Sequence, residues 1–89
     1  MNVQLDPDLV KKLKKQKVLI RKNFKLAIIT FTKNPNSAGL NNHPLREKWK
    51  GYRSIDITAG WRAIYKETHV GSEIVAYFIA VGTHKDLYQ

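Results

Sequence analysis

The residues of this chain that are best suited to chemistry are two histidines and the basic and aromatic side chains near them. His43 begins the segment 43–53, in which basic and aromatic residues alternate, and His84 lies in the segment 82–88, directly after the most apolar part of the chain. An imidazole can accept or donate a proton near neutral pH. Lysine and arginine bind phosphate, and aromatic rings stack on nucleobases. These residue types therefore suit binding to a nucleic acid and proton transfer at its backbone.

The residues alone leave a plainer interpretation of each feature open. Trp49 and Tyr52 would serve equally well as core or rim aromatics, and a lone histidine is more often a surface or helix-capping residue. His69 falls in a predicted turn and is assigned no role. No HxH or HxxxH spacing relates the histidines, so we expect no metal site.

The composition excludes several classes of protein. The chain has 89 residues and no cysteine, which rules out a disulfide framework, a cysteine-ligated zinc site and a cysteine nucleophile. A hydrophobic content of 43% at this length indicates one folded domain over residues 1–89. No apolar run approaches the ~20 residues of a membrane helix, and the opening residues lack the basic start of a secretory signal. We therefore expect a cytoplasmic protein without a membrane segment.

The charge of the chain is strongly positive and unevenly distributed. The formal net charge is +9, and residues 1–33 hold nine of the 16 lysines and arginines but only two of the seven acidic residues. Five of these lysines fall within residues 11–17 with no acid between them. They form either a solvated helix face or a surface for a polyanion, such as nucleic acid or an acidic protein segment.

The first half of the chain is predicted to form a strand and two helices. Residues 2–5 suit a short strand, and Asp6 and Pro7 are typical of the cap and the first turn of a helix. Apolar residues then recur at helical spacing in two successive stretches. The Asn34-Pro35 step should end the second helix, so the two helices are expected to form a hairpin.

The second half of the chain is predicted to form a sheet. Residues 52–57 and 61–66 alternate between polar and apolar, and residues 73–81 are largely apolar and rich in β-formers. A shorter strand is expected over residues 45–49 and a single helical turn over residues 84–89. The sequence therefore predicts an α+β domain of order β-α-α-β-β-β-β, with the helical hairpin packed on one face of a curved antiparallel sheet.

These segments, in this order, resemble the RelE/ParE toxin superfamily of type II toxin–antitoxin systems, and most of all its YafQ-like messenger-RNA interferases. The resemblance covers nearly the whole chain. It is most specific in HPLREKWKGYRSIDITAGWRAIY, residues 43–65, and in GTHKDLY, residues 82–88. It implies a RelE-like fold and a toxin that acts without a metal or another cofactor.

The resemblance also implies an activity and two partners. Members of this branch cleave messenger RNA in the ribosomal decoding site: the 2′-hydroxyl attacks the neighbouring phosphate and leaves a 2′,3′-cyclic phosphate and a free 5′-hydroxyl. Such a reaction needs a general base, a general acid and cations that stabilise the phosphoryl charge. The expected partners are messenger RNA on the ribosome, with contacts to ribosomal RNA, and a cognate antitoxin.

Matched residue by residue, the resemblance assigns roles to several side chains. His84 is expected to be the general acid and His43 the base, with the reverse assignment left open. Tyr88 matches the C-terminal aromatic residue of the family, and Arg53 resembles a basic residue of its active site. The residues expected to bind RNA or phosphate are Lys48, Lys50, Trp61 and Arg62.

Three positions depart from the family pattern. Asp56 stands where the pattern often has a second active-site histidine, Gly60 where it often has an aspartate, and Ala80 where it often has an arginine. These departures keep two alternatives open, a non-catalytic ParE-like inhibitor of gyrase and a degenerate toxin that only binds its antitoxin.

Overall fold

The first half of the chain folds as a strand followed by two helices. The computed structural model describes residues 1–88, and its first elements are β1 (Asn2–Leu5), α1 (Pro7–Lys14) and α2 (Val18–Lys33). Asp6 caps α1, because its Oδ2 accepts a hydrogen bond from the backbone N–H of Asp8 at 3.0 Å and Pro7 occupies the first turn. The second helix ends before Asn34, which is extended, as the Asn34-Pro35 step predicts.

The second half supplies the remaining strands and a short closing helix. These elements are β2 (His43–Pro44), β3 (Arg53–Asp56), β4 (Trp61–Val70), β5 (Glu73–Thr83) and α3 (His84–Leu87). Two single-turn 3₁₀ helices, Ala38–Leu40 and Glu47–Trp49, lie in the connections. The predicted α+β architecture of a helical hairpin on a five-stranded sheet is confirmed.

The sheet has the strand order β1-β5-β4-β3-β2. The pairs β2–β3, β3–β4 and β4–β5 are antiparallel, whereas β1 lies parallel to β5, with Asn2 opposite Val75 and Leu5 opposite Phe78. A parallel pair needs a long connection between its two strands. Here the helical hairpin carries the chain from β1 to β2 at the far edge of the sheet, and β3, β4 and β5 then lead back across it to β1. Strand β4 is longer than predicted and includes His69, which pairs with Ile74 rather than lying in a turn.

The strand predicted over residues 45–49 is wrong. Residues 47–49 form a 3₁₀ helix, and the strand in this region is the two-residue β2 that precedes it. Glu47 has a φ of 55°, in the left-handed region, which no continuing strand can accommodate. The apolar residues Leu45 and Trp49 therefore do not alternate along a pleat.

The hydrophobic core lies between the helical hairpin and one face of the sheet. Phe31 of α2 is fully buried and packs edge-on against Tyr65 and Phe78, with ring centroids 5.0 Å and 5.2 Å away. Aromatic pairs of this geometry add to the free energy gained from apolar burial. Within residues 1–88, no helix combines the length and the apolar content needed to cross a membrane.

The register of the sheet places other residues on the face opposite the helical hairpin. Directly opposed residues project to the same face, and side chains alternate along each strand. Ala63 belongs to the core, so its neighbour Arg62 and the partner of Arg62 across the strands, Asp56, project to the opposite face. His43 and its partner Ser54 share that face, because Ser54 lies two residues from Asp56 on β3.

Candidate active site

A cavity of about 330 Å³ lies on the face of the sheet opposite the helical hairpin. Four of its lining residues are side chains that the sequence singles out, namely His43, Arg62, His84 and Tyr88. The other two are Asn41 and Leu45. Strands β2 and β4 and the helix α3 thus bring two histidines, one guanidinium and one phenol to a single concave surface.

The contacts of His43 fix which ring nitrogen is free. Its Nδ1 lies 2.7 Å from the carbonyl oxygen of Asn41 and therefore donates a hydrogen bond to it. Asn41 presents this carbonyl because it has a left-handed φ of 48° at the end of the 3₁₀ helix Ala38–Leu40. The neutral ring then carries its proton on Nδ1 and leaves Nε2 as an acceptor, which is the arrangement that a general base needs.

His84 is the first residue of α3 and its ring is exposed beside Tyr88. The two ring centroids are 4.6 Å apart at an angle of 51°, as expected for residues one helical turn apart. The start of α3 is a capping box: the Thr83 hydroxyl accepts from the Asp86 N–H at 3.1 Å, and the Asp86 carboxylate accepts from the Thr83 N–H at 3.3 Å. The hydrogen bonds from Thr83, with a smaller contribution from the Lys12 ammonium, hold the pKa of Asp86 below its ordinary value.

The end of α3 is fixed by two contacts that the sequence does not predict, one with Trp49 and one with Ser54. The indole N–H of Trp49 donates to the carbonyl oxygen of Leu87 at 2.9 Å, and the Leu87 side chain is buried. The Tyr88 hydroxyl donates to Oγ of Ser54, a fully buried residue, at 3.3 Å. The tryptophan was an obvious aromatic of the segment 43–53, but only the 3₁₀ turn directs its ring to α3.

Arg62 is held in the cavity wall by contacts on two sides. Its Nε lies 2.9 Å from Oδ1 of Asp56, and its Nη1 donates to the carbonyl oxygens of Thr58, Ala59 and Trp61 at 2.9 to 3.1 Å. Within residues 1–88 the Asp56 Oδ1 accepts no hydrogen bond of good geometry, so the attraction of Arg62 for it is that of opposite charges. These contacts engage Nε and Nη1, and among the described residues Nη2 makes no hydrogen bond.

The other four predicted site residues do not line this cavity. Arg53 points away from it, and its Nε donates to Oδ1 of Asn42 at 2.8 Å. Trp61 packs against the core, and Lys50 is exposed at the end of the 3₁₀ helix 47–49. Lys48 lines a second cavity, of about 260 Å³, which also includes Tyr88 and therefore adjoins the first.

The three positions that depart from the family pattern have different surroundings. Asp56 is the partner of Arg62, and Gly60 lies in the exposed turn between β3 and β4. Ala80 lies opposite Ile64 on β5, on the same face of the sheet as Arg62. Among the described residues, no group of three or more His, Cys, Asp or Glu side chains is arranged to hold a metal ion.

Comparison with known proteins gives one consistent group of relatives. No protein-family model matches the chain. The mRNA interferase toxin YafQ of Escherichia coli strain B / BL21-DE3 is 28% identical over 85 residues, which cover 96% of this chain and 88% of that protein. The crystal structure of YafQ from the same strain superimposes with a TM-score of 0.75 at 26% identity, over 99% of this chain and 98% of that one. A chain of the E. coli DinJ–YafQ toxin–antitoxin complex matches with a TM-score of 0.66 at 27% identity, over 99% of this chain and 97% of that one.

Proposed function

Because the chain is a YafQ-like member of the RelE/ParE toxin superfamily, we propose that it is the toxin of a type II toxin–antitoxin system and cleaves messenger RNA on the ribosome without a metal ion. The observation that carries this proposal is the meeting of His43, His84, Arg62 and Tyr88 around one cavity. The two imidazoles supply an acid and a base, and the guanidinium supplies a positive charge in the same cavity.

The proposed reaction is an in-line transfer at one phosphodiester. Nε2 of His43 takes the proton of the 2′-hydroxyl, and the 2′-oxygen forms a bond to the adjacent phosphorus. The bond from phosphorus to the 5′-oxygen breaks, and His84 gives that oxygen a proton. The products are a 2′,3′-cyclic phosphate and a 5′-hydroxyl. Nη2 of Arg62 stabilises the extra charge on the phosphoryl oxygens, and Tyr88 orients the His84 ring through the ring contact.

The remaining predicted residues are assigned to the approaches of the cavity. Lys48 lines the adjoining cavity, and we propose that it binds the phosphate of a neighbouring nucleotide together with the exposed Lys50. Trp61 remains an aromatic residue at the rim of the core. Arg53 donates a hydrogen bond to Asn42, the residue before His43. We therefore propose that Arg53 fixes the position of this segment instead of binding phosphate.

The test is cleavage of messenger RNA in a purified translation system. Wild-type protein at micromolar concentration should cut ribosome-bound messenger RNA and leave a 2′,3′-cyclic phosphate. His84→Ala and His43→Ala should each reduce the cleavage rate by about 10²- to 10⁴-fold, the usual contribution of a general acid or base. His69→Ala is the matched control, since His69 is exposed on β4 outside the cavity, and it should cut normally. Undisturbed translation with the wild-type protein would refute the proposal.

The proposed partner is an antitoxin with an amphipathic, acidic segment. An apolar groove of about 290 Å³ lies on the helical hairpin. Its lining consists of apolar residues and two cations, namely Leu5, Leu13, Phe24, Ile28, Ile29, Arg21 and Lys25. Apolar side chains of such a segment fit the groove while its acids pair with the two cations. The relative YafQ is found in a complex with DinJ. Ordering of such a segment on binding costs conformational entropy, which offsets part of the free energy gained by burying its apolar side chains.

The departures at Asp56 and Ala80 favour one second candidate, a toxin that inhibits gyrase without cleaving RNA. Ala80 places a methyl group where the family often has an arginine, on the face of the sheet that carries the cavity. A DNA supercoiling assay separates the two functions. Inhibition of gyrase together with intact messenger RNA would favour this candidate, and harmless expression without an antitoxin would indicate a toxin that only binds its antitoxin.

A further inference from the structure

The helix that carries His84 is too short to hold its own position. α3 has four residues, and an isolated helix of that length does not persist in water. Its far end is fixed by the hydrogen bond from the Trp49 indole to the Leu87 carbonyl and by the burial of Leu87. The end at which His84 lies follows directly on Thr83, the last residue of β5, which pairs with Trp61 across the sheet. The strand fixes the backbone up to Thr83, and the turn that directs the His84 ring is closed by further contacts.

Those contacts are made by Asp86 and by a lysine from the first helix. The Asp86 carboxylate closes the capping box on the Thr83 N–H, and the Lys12 ammonium lies 3.8 Å from the same carboxylate oxygen, Oδ2. Lys12 also lies above the Trp61 ring, 5.9 Å from its centroid. Asp86 thus joins the first turn of α3 to α1, although the two helices are at opposite ends of the chain.

Gly82 makes this meeting possible. A Cβ at this position would lie 2.9 Å from Nζ of Lys12 and 3.1 Å from Cβ of Asp86. The first distance is shorter than real Cβ atoms show and the second is tight, so a side chain at residue 82 would displace the flexible end of Lys12 and press on Asp86. The lysine and the aspartate therefore meet over the glycine, beside His84.

From this geometry we infer that Asp86 is a positioning residue for His84, held by Lys12 across Gly82. The role rests on the proposed function, because positioning matters for cleavage only if His84 transfers a proton. With Asp86 in place, the first turn of α3 is closed and the His84 ring stays against Tyr88 at the cavity. Without it, the Thr83 N–H loses its acceptor and the first turn opens.

The test measures the position of His84 and the chemical step separately. The variants are Asp86→Ala and Asp86→Glu, because glutamate is the usual residue of a capping box at this position and should rescue. Glu67→Ala, which removes an exposed carboxylate of β4, is the matched control. Asp86→Ala should lower the single-turnover cleavage constant by roughly 10- to 100-fold, the cost of a small misplacement of a reacting group, with KM little changed. Asp86→Glu and Glu67→Ala should stay near wild type, and thermal melting checks that each variant is folded.

Proton NMR of the His84 ring supplies the second measurement. The Tyr88 ring current shifts these resonances in the wild type, and a Tyr88→Leu variant gives their unstacked positions. Asp86→Ala should move them towards those positions, and Gly82→Ala should do the same by displacing Lys12 and Asp86. If Asp86→Ala leaves the resonances unchanged, the inference is overturned, whatever happens to the rate. If the wild type does not cleave RNA, the proposed function fails, and the resonances alone still decide whether Asp86 holds His84.

Discussion

At the scale of single residues, the ion pair of Asp56 and Arg62 shows how a departure from a family pattern can still serve the site. Asp56 stands where the pattern often has a histidine, and its contribution here is to hold a guanidinium in the cavity wall. The carboxylate Oδ1 lies 2.9 Å from Nε of Arg62, and the two side chains are only 27% and 22% exposed. Partial burial makes this pair stronger than an ordinary surface ion pair, and it makes either partner costly to leave alone.

We expect a measurable coupling between these two residues. Asp56→Ala would leave the Arg62 charge without its counter-ion, and we expect this variant to lose roughly 1–3 kcal/mol of stability. A double-mutant cycle with Arg62→Ala should give a coupling free energy of roughly 0.5–3 kcal/mol in urea unfolding. Both single variants should also cleave RNA more slowly, Arg62→Ala by losing the charge and Asp56→Ala by misplacing it. A coupling near zero would show that the contact contributes nothing to the fold.

The sequence predicted the chemical types at the site better than the contacts that orient them. The four predicted residues that line the cavity, His43, His84, Arg62 and Tyr88, lie in the segments on which the family resemblance rests. The tautomer of His43 could not be predicted, since it depends on a left-handed residue, Asn41, that turns a carbonyl towards the ring. Contacts of this kind arise from backbone conformations that composition and spacing do not determine.

At the scale of elements, the junction between β1 and α1 depends on Asp6. Its Oδ2 caps α1, its Oδ1 accepts a hydrogen bond of 2.7 Å from the Tyr77 hydroxyl on β5, and its backbone N–H donates to the Phe78 carbonyl at 2.9 Å. The hydrogen bond from Tyr77 lowers the pKa of Asp6, and the same bond raises the pKa of Tyr77. Asp6 therefore connects the start of α1 to β5.

This junction should make stability depend on pH at both ends of the range. The pKa of Asp6 is lowered on folding, so its contribution is present above its ordinary value of 3.8 and is lost as the pH falls through the folded value. The pKa of Tyr77 is raised, so its contribution is present below its ordinary value of 10.0 and is lost as the pH rises through the folded value. Tyr77→Phe should lower the melting temperature at neutral pH, and its difference from wild type should shrink in acid and in strong base.

The control for this prediction is Tyr52→Phe. Tyr52 packs edge-on against Trp49, and among the described residues no carboxylate is hydrogen-bonded to its hydroxyl. We expect this variant to shift the melting temperature by a similar amount at every pH, if at all. A Tyr77→Phe difference that is constant from acid to neutral pH would contradict the role of the Asp6 bond.

The elements themselves differed in how far the sequence could predict them. Both helices of the hairpin and strands β3 to β5 follow from periodicity, caps and turns, because each is long enough to show its own pattern. Residues 45–49 could not be assigned in this way, since a single left-handed residue, Glu47, converts an apparent strand into a 3₁₀ turn. The place of β1 beside β5 also has no local signal, as it depends on where the last strand returns.

At the scale of the whole molecule, the excess positive charge has a defined distribution around the fold. Lys12 is partly buried against Asp86 and Trp61, whereas Lys11, Lys14 and Lys15 of the same segment are exposed. Like charges this close repel one another along a helix. A polyanion would relieve the repulsion and release its counter-ions, so these three lysines are expected to add affinity rather than to recognise sequence.

The salt dependence of ribosome binding tests this role of the three lysines. Replacing Lys11, Lys14 and Lys15 with glutamine should weaken binding and lower the slope of log Kd against log salt by about 2 to 3, close to one unit for each phosphate that a lysine no longer neutralises. The single-turnover cleavage constant at saturating ribosomes should not change, because none of the three lines the cavity. The same charge change at Lys22, Lys25 and Lys33 of α2 is the control for net charge alone. Equal slopes for the wild type and the variant at Lys11, Lys14 and Lys15 would show that these lysines contact no phosphate. If this variant and the α2 control weaken binding equally, the total charge of the protein drives binding, and these three lysines have no special role.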